Sequence, residues 1–125
     1  VQNTIQHLNK NNMAIYKNIT TSGSTTTDLI TKDSGVSGRI SKISISNVDS
    51  LTADNVCVFL EDAATSASTN PGNAKYYFIK DVDIPPGTTL ILDDNVSFLS
   101  SKFSLRIITQ NDSGGGAPSI SIIIQ

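Results

Sequence analysis

The sequence predicts an all-β domain, an antiparallel β-sandwich or jelly-roll of about seven to eight strands with an extended N-terminal arm. Three observations predict this fold class. Sixteen of the 125 residues are Ile, a β-branched residue that favours strands. Apolar and polar residues alternate in several segments, and Gly, Pro, Asn and Ser separate those segments. No segment has the length and period of the crossover helix that parallel strands need.

Composition limits the classes of function. Only 16% of the residues are charged, against about 25% in typical domains. The nine Lys and Arg residues are scattered and the net charge is −2, whereas a nucleic-acid binder carries a basic stripe. No stretch approaches the roughly 20 apolar residues of a membrane helix, and no signal-peptide pattern opens the chain. We therefore expect no nucleic-acid and no membrane partner.

The N-terminal residues 1–12 differ from the rest of the chain, which we assign to one sandwich domain over residues 13–125. The segment is rich in Asn and Gln, and after Val1 its only large apolar residues are Ile5 and Leu8. We interpret it as an arm that Ile5 and Leu8 seat in a groove of a neighbouring subunit, with a frayed terminus as the alternative. His7, the single His, lies in this arm, and we expect no catalytic triad or His-based metal site.

The first half of the domain carries four expected strands. They are placed at residues 13–21, 28–32, 38–48 and 55–61. In the third, Ile40 and Val48 break the alternation, which indicates a bulge or a strand that changes sheets. The fourth is apolar on both faces, as in a central strand or a face covered by another chain. Its single cysteine, Cys57, is expected to be a buried small hydrophobe rather than a reactive thiol.

A long loop follows the fourth strand. Residues 62–73 are small and polar and contain a Pro-Gly turn at Pro71. Such a segment is an excursion between strands, and exposed loops of this length often carry contacts. Asn70 and Pro71 are therefore candidate contact residues.

Residues 76–95 predict two strands around a fixed corner. Pro85 and Pro86 remove two backbone donors, and Gly87 is free to take positive φ. The corner should end one strand and direct the next. After a short connection at residues 96–101, clean alternation predicts strands at residues 102–110 and 118–125, with a flexible turn between them.

Carboxylates flank this corner. Asp81, Asp83, Asp93 and Asp94 lie near the ends of the two strands, and they would approach one another if those strands pair. Clustered Asp oxygens suit Ca²⁺, but the spacing is not that of a calcium loop. We expect solvated strand ends, with no metal and no cofactor.

The run from Ile84 to Asn95, followed by Phe98 and by residues 103–107, resembles a pattern of small β-sandwich virion proteins of tailed bacteriophages. In these an I-P-x-G-T-T-L-x-L turn precedes a hydrophobic segment and a strand that ends near a Gly-rich turn. The strand at residues 56–62 also fits, and the resemblance spans about residues 38–124. It implies a non-enzymatic structural component present in many copies on a capsid or tail.

The expected function is that of a capsid decoration or cement protein on the virion surface. Such a protein contacts the major capsid protein and forms a homo-oligomer such as a trimer. The candidate contact residues are Ile5, Leu8, Asn70, Pro71 and Tyr77.

Two alternatives stay open: a tail, neck or baseplate accessory protein of the same fold, and a glycan-binding module. In the second, Tyr16, Tyr76 and Tyr77 would stack on sugar rings. Adjacent residues point to opposite faces of a strand, so only one of Tyr76 and Tyr77 can face a ligand. An enzyme is not expected.

Overall fold

The computed structural model of the chain describes residues 6–7, 14–62, 74–112 and 116–125. The predicted all-β class is confirmed, because every regular element in these ranges is a strand and none is a helix. The strands are β1 (Gln6–His7), β2 (Ile15–Ile19), β3 (Thr25–Ile30), β4 (Val36–Ile40), β5 (Ile43–Asn47), β6 (Asp54–Asp62), β7 (Lys75–Ile84), β8 (Thr89–Leu92), β9 (Val96–Leu99), β10 (Phe103–Asn111) and β11 (Ile120–Ile124).

The strands form two four-stranded antiparallel sheets and one smaller sheet. Sheet I has the order β3-β10-β6-β7, and sheet II has the order β2-β11-β5-β8. Sheet III has the order β1-β4-β9, in which β1 runs parallel to β4 through Gln6 and His7. Those two residues are the part of the predicted arm that the structure describes.

The core lies between the sheets and is built by the predicted alternation. The inward positions of sheets I and II are β-branched or Leu residues that are almost completely buried, namely Ile43, Ile45, Val56, Val58, Leu105, Ile107, Ile120, Ile122 and Ile124. Burying each such side chain stabilises the fold by about 1.5–3 kcal/mol. Sheet III adds Val36, Ile40 and Phe98 to the same cluster, so it packs on the sandwich.

Besides β1, which lies in the predicted arm, two further strands raise the number above the predicted seven to eight, for two reasons. The segment expected as one strand at residues 38–48 is two strands, β4 in sheet III and β5 in sheet II. The chain changes sheets at Ser41 and Lys42, whose backbone N–H groups both donate to the carbonyl of Gln125 at 2.7 and 3.1 Å. The phase break at Ile40 had indicated this change of sheet.

The second reason is β9, where the prediction of a short connection at residues 96–101 was wrong. Residues 96–99 form a strand that pairs with β4 in antiparallel register. Its four residues, Val-Ser-Phe-Leu, are too few for a period to be visible in the sequence, and the strand forms because β4 offers an edge to pair with.

The Pro-Pro-Gly corner carries the chain from one sheet to the other. Thr88 N–H donates to the carbonyl of Pro85 at 3.3 Å, and Gly87 has a φ of 73°. Gly87 N–H donates to the carbonyl of Asn47 at 2.9 Å, which anchors the turn to β5. The strand before the corner, β7, lies in sheet I and the strand after it, β8, lies in sheet II. The predicted role of the corner is therefore confirmed.

Buried polar groups hold the same end of the sandwich together. Asn47 is completely buried, and its Nδ2 donates to the carbonyls of Thr52 and Ile84, each at 2.9 Å. Its Oδ1 accepts the N–H of Asp49 at 2.9 Å. One side chain of β5 thus fixes both the end of β7 and the loop that leads into β6.

A buried carboxylate completes this polar cluster. Asp54 Oδ1 accepts from Asn111 Nδ2 at 2.9 Å, and Asp54 Oδ2 accepts the N–H of Ser119 at 3.3 Å. Burial raises the pKa of Asp54, although these two hydrogen bonds oppose the shift. Across the described residues, every buried side-chain nitrogen or oxygen has a hydrogen-bond partner.

Candidate contact surfaces

Four aromatic rings lie at one end of sheet I, where β6 and β7 pair, and they form two pairs on opposite faces of the sheet. We call Phe59, Tyr76, Tyr77 and Phe103 the aromatic end. The ring centroids of Phe59 and Tyr77 are 5.2 Å apart at an interplanar angle of 43°. Those of Tyr76 and Phe103 are 6.0 Å apart at 89°. Such tilted and edge-to-face pairs stabilise each other by about 0.5–1.5 kcal/mol beyond their buried area.

The register of β6 and β7 explains this grouping. Phe59 lies opposite Tyr77 and Leu60 lies opposite Tyr76. Phe103 of β10 lies opposite Asp62, one strand away. Adjacent Tyr residues point to opposite faces of β7, so each finds a different ring.

The aromatic end combines buried and exposed rings. Phe59 is buried, whereas Tyr76 and Tyr77 keep 55% and 44% of their surface exposed. Lys80 Nζ lies 5.5 Å from the centroid of Tyr77, and Lys102 Nζ lies 5.3 Å from that of Phe103. Cation–π contacts at exposed sites stabilise by about 0.5–1 kcal/mol. The two Tyr rings are therefore held in place while still presenting surface to a partner.

The predicted contact residue Tyr77 lies in this aromatic end. The segment that contains Asn70 and Pro71 lies between β6 and β7 in the sequence. Asn70 and Pro71 themselves lie outside the described residues, as do Ile5 and Leu8.

An ion-paired Arg supports the outer face of sheet I next to the aromatic end. Arg106 lies opposite Phe59, its Nε donates to Asp28 Oδ1 at 2.6 Å, and its Nη1 donates to Glu61 Oε1 at 3.0 Å. Burial lowers the pKa of Arg106, but the hydrogen bond to Glu61 and the charge of Asp28 outweigh it, so the pKa is raised. The guanidinium thus stays charged and ties three strands, β3, β6 and β10, together.

Cys57 lies on the same outer face and is buried, as predicted. Its Sγ accepts the N–H of Asp81 at 3.2 Å, at a bulge where Asp81 has a φ of 55°. Burial raises the pKa of the Cys57 thiol, which disfavours the reactive thiolate. The bulge also shifts the register between β6 and β7, from Val56 opposite Val82 to Val58 opposite Ile79.

The four Asp residues around the corner do not come together. Asp81 and Asp83 lie on β7 in sheet I, whereas Asp93 and Asp94 follow β8 in sheet II. The condition for a carboxylate cluster, pairing of these two strands, is therefore not met. Among the described residues, no group of three or more His, Cys, Asp or Glu side chains is placed to hold a metal ion.

A second candidate surface is the outer face of sheet II, which the sequence analysis did not identify. The strand register places one row of side chains across the whole sheet, in the order Tyr16, Ile123, Ser44, Ile91. Tyr16, Ile91 and Ile123 are 71%, 53% and 41% exposed. Three large apolar side chains thus stand in one line on a sheet face.

The neighbouring row on this face is polar and uncharged. It runs in the order Asn18, Ser121, Ser46, Thr89. Ser121 Oγ donates to Asn18 Oδ1 at 2.9 Å, and the hydroxyls of Ser46 and Thr89 are 2.8 Å apart. These hydrogen bonds between neighbouring strands fix the positions of the polar side chains.

The signal for this face was present in the sequence. Ile123 and Ile91 occupy polar positions of an otherwise regular alternation, beside inward residues such as Ile122 and Leu92. Their alignment with Tyr16 depends on which strands pair, and a local pattern does not contain that information.

The three tyrosines of the glycan hypothesis lie on two different sheets. Tyr16 is on β2 of sheet II, whereas Tyr76 and Tyr77 are on β7 of sheet I. They do not form one stacking platform.

No protein-family model matches the chain, and no curated protein matches it. None of the described segments is a helix of the length and apolarity needed to span a membrane.

Proposed function

We propose that this protein is a non-enzymatic structural component of a tailed-bacteriophage virion, a capsid decoration or cement protein that contacts the major capsid protein. The observation that carries the proposal is the aromatic end, where Tyr76 and Tyr77 remain about half exposed on a packed support. Tyr is among the residues that dominate binding energy at protein interfaces. The kind of assembly, a tailed-bacteriophage virion, is inferred from the resemblance of the segment around the Pro-Pro-Gly corner to small virion proteins.

The support under the two Tyr rings favours a role in binding. Phe59 packs under Tyr77, Phe103 packs against Tyr76, and Lys80 lies over the Tyr77 ring. A side chain that is already held in one position loses little conformational entropy when a partner binds, which spares about 0.5–1.5 kcal/mol for each ordered side chain. The aromatic end is thus a preorganised surface.

The position of the aromatic end also agrees with the predicted contact loop. In the sequence, residues 63–73 connect the two strands that carry Phe59 and Tyr77. Asn70 and Pro71 extend the proposed contact, with Ile5 and Leu8 of the N-terminal segment as a second point of attachment. Homo-oligomers, such as a trimer, would repeat this contact over a lattice.

The first test is the location and copy number of the protein. Quantitative mass spectrometry of purified parent particles, with antibody-gold labelling, should find copies on the order of hundreds per particle on the head, as symmetric lattices repeat one contact. Labelling of the tail in a few copies would move the proposal to the tail or baseplate class. Absence from the particles would overturn it.

The second test addresses the aromatic end itself. The double substitution Tyr76→Ser and Tyr77→Ser should weaken binding to particles that lack the protein by at least about 30-fold, since hot-spot aromatics are worth about 2 kcal/mol or more. Leu51→Ser is the matched control, because it removes a large apolar side chain that is 85% exposed and lies outside the aromatic end. Equal affinities of the double variant and the control would contradict a role for this surface.

A further inference from the structure

We propose that the outer face of sheet II is a docking surface for the same face of a second copy of this chain. The face consists of the apolar row (Tyr16, Ile123, Ser44, Ile91) and the polar row (Asn18, Ser121, Ser46, Thr89). This inference rests on the geometry of the sheet alone, and it holds whether or not the protein is a virion component.

The exposed apolar side chains are concentrated on this face. Tyr16, Ile91 and Ile123 stand in one row, and Val48 continues the same face past the end of β5, where its N–H still pairs with the carbonyl of Ser119 at 2.9 Å. Several exposed apolar side chains on one sheet face mark an interaction surface, whereas single ones scattered over a protein are normal.

Charge defines the partner that this face accepts. None of the eight side chains in the two rows is ionisable below the pKa of Tyr. Burying the rows therefore removes no charge from water, which would otherwise oppose association. A basic or acidic partner would gain nothing here, whereas the same face of a second copy is equally uncharged and therefore complementary.

The order of the rows makes the face self-complementary. A two-fold axis that runs between two copies, parallel to the strands, exchanges β2 with β8 and β11 with β5. It places Tyr16 opposite Ile91 of the second copy, and Ile123 opposite Ser44 of the second copy. The polar row then meets the polar row. The contact is isologous and closes after two copies.

The size of the face sets the strength of the contact. Four strands about 4.8 Å apart and two rows about 6.8 Å apart cover roughly 19 by 14 Å, or about 260 Å². A standard stable interface buries about 800 Å² on each partner. We therefore expect a weak dimer, with a Kd in the range of about 10 μM to 1 mM, that forms fully where many copies are held close together.

Sedimentation velocity of the full chain from about 5 μM to 1 mM tests this expectation. The weight-average sedimentation coefficient should rise from the monomer value toward that of a dimer. Amide NMR shifts should change with dilution at β2, β5, β8 and β11. Behaviour as a monomer over the whole range would overturn the proposal.

Ile123→Lys and, separately, Tyr16→Lys place a charge in the apolar row and should weaken dimerisation at least ten-fold. Thr26→Lys is the matched control, because it adds the same charge at an exposed strand position of sheet I and should leave the dimer unchanged. Circular dichroism verifies that each variant is folded. A dimer that both Lys variants leave intact would also overturn the proposal. The binding of the variants to particles is measured in a separate assay, so that a failure of the dimer is distinguished from a failure of the proposed function.

Discussion

Asn47 offers the sharpest test of how the two sheets are joined. It is completely buried, and its side chain makes three hydrogen bonds, to the carbonyls of Thr52 and Ile84 and from the N–H of Asp49. Asn47→Ala removes all three and leaves a small cavity. At about 1 kcal/mol for each hydrogen bond and about 1 kcal/mol for the cavity, the free energy of unfolding should fall by about 3–5 kcal/mol.

The assay is urea unfolding followed by far-ultraviolet circular dichroism, because the chain has no Trp to report by fluorescence. Asn55→Ala is the matched control: it removes one side-chain hydrogen bond, to Asp83 Oδ1 at 2.9 Å, at an exposed site. Its effect should stay below about 1 kcal/mol. If the two Ala variants lose equal stability, the assignment of a central structural role to Asn47 is wrong.

Asn47→Asp separates hydrogen bonding from packing. It keeps the volume of the side chain but places a carboxylate against two carbonyl oxygens, so burial and repulsion should raise its pKa. A carboxyl with a raised folded-state pKa stabilises the fold at low pH and loses that contribution as the pH rises through the folded value. The free energy of unfolding of the variant should therefore come close to that of the native protein at low pH and should be lowest relative to it at neutral pH. A difference in unfolding free energy that stays constant with pH would refute this explanation.

Three further substitutions have effects on stability that the structure predicts. Burial raises the pKa of Asp54 from its usual 3.8, so the contribution of Asp54 to stability should decline as the pH rises through its folded value. Asp54→Asn should remove that decline from the curve of unfolding free energy against pH, and an unchanged curve would contradict it. Arg106→Met leaves Asp28 and Glu61 without their guanidinium partner and should lower the unfolding free energy by about 1–3 kcal/mol, with a smaller loss at high salt, which screens the ion pairs. An equal loss at every salt concentration would argue against ion pairing. Gly87→Ala meets no neighbouring atom within 4 Å, so its expected loss of about 1 kcal/mol comes from the φ of 73° alone. Thermal unfolding that shows no loss would refute the backbone explanation.

Local patterns predicted the parts of the fold that depend on local chemistry. Alternation placed β10 and β11 almost to the residue, because one face of each is buried and the other is not. The Pro-Pro-Gly corner was recognised because its chemistry excludes a strand. The apolar residues on both sides of β6 predicted a central strand, and β6 does lie between β10 and β7.

Long-range pairing was beyond the reach of these patterns. Whether Asp81 meets Asp93 depends on whether β7 and β8 share a sheet, and they do not. The line of Tyr16, Ile123 and Ile91 exists because four strands distant in sequence pair in one register. Of the candidate contact residues, Tyr77 is the one that the structure describes, and it is partly exposed on β7. It packs against Phe59 because the register of β6 and β7 places the two residues opposite each other, and the sequence does not contain that register.

A cryo-electron microscopy reconstruction of the intact parent particle is the most direct measurement of whether this protein acts by contact in a virion. We expect density for this sandwich at repeated positions on the head lattice, with the end of sheet I that carries Tyr76 and Tyr77 directed at the underlying shell. A lattice without such density, or copies whose aromatic end faces solvent, would contradict the proposed function.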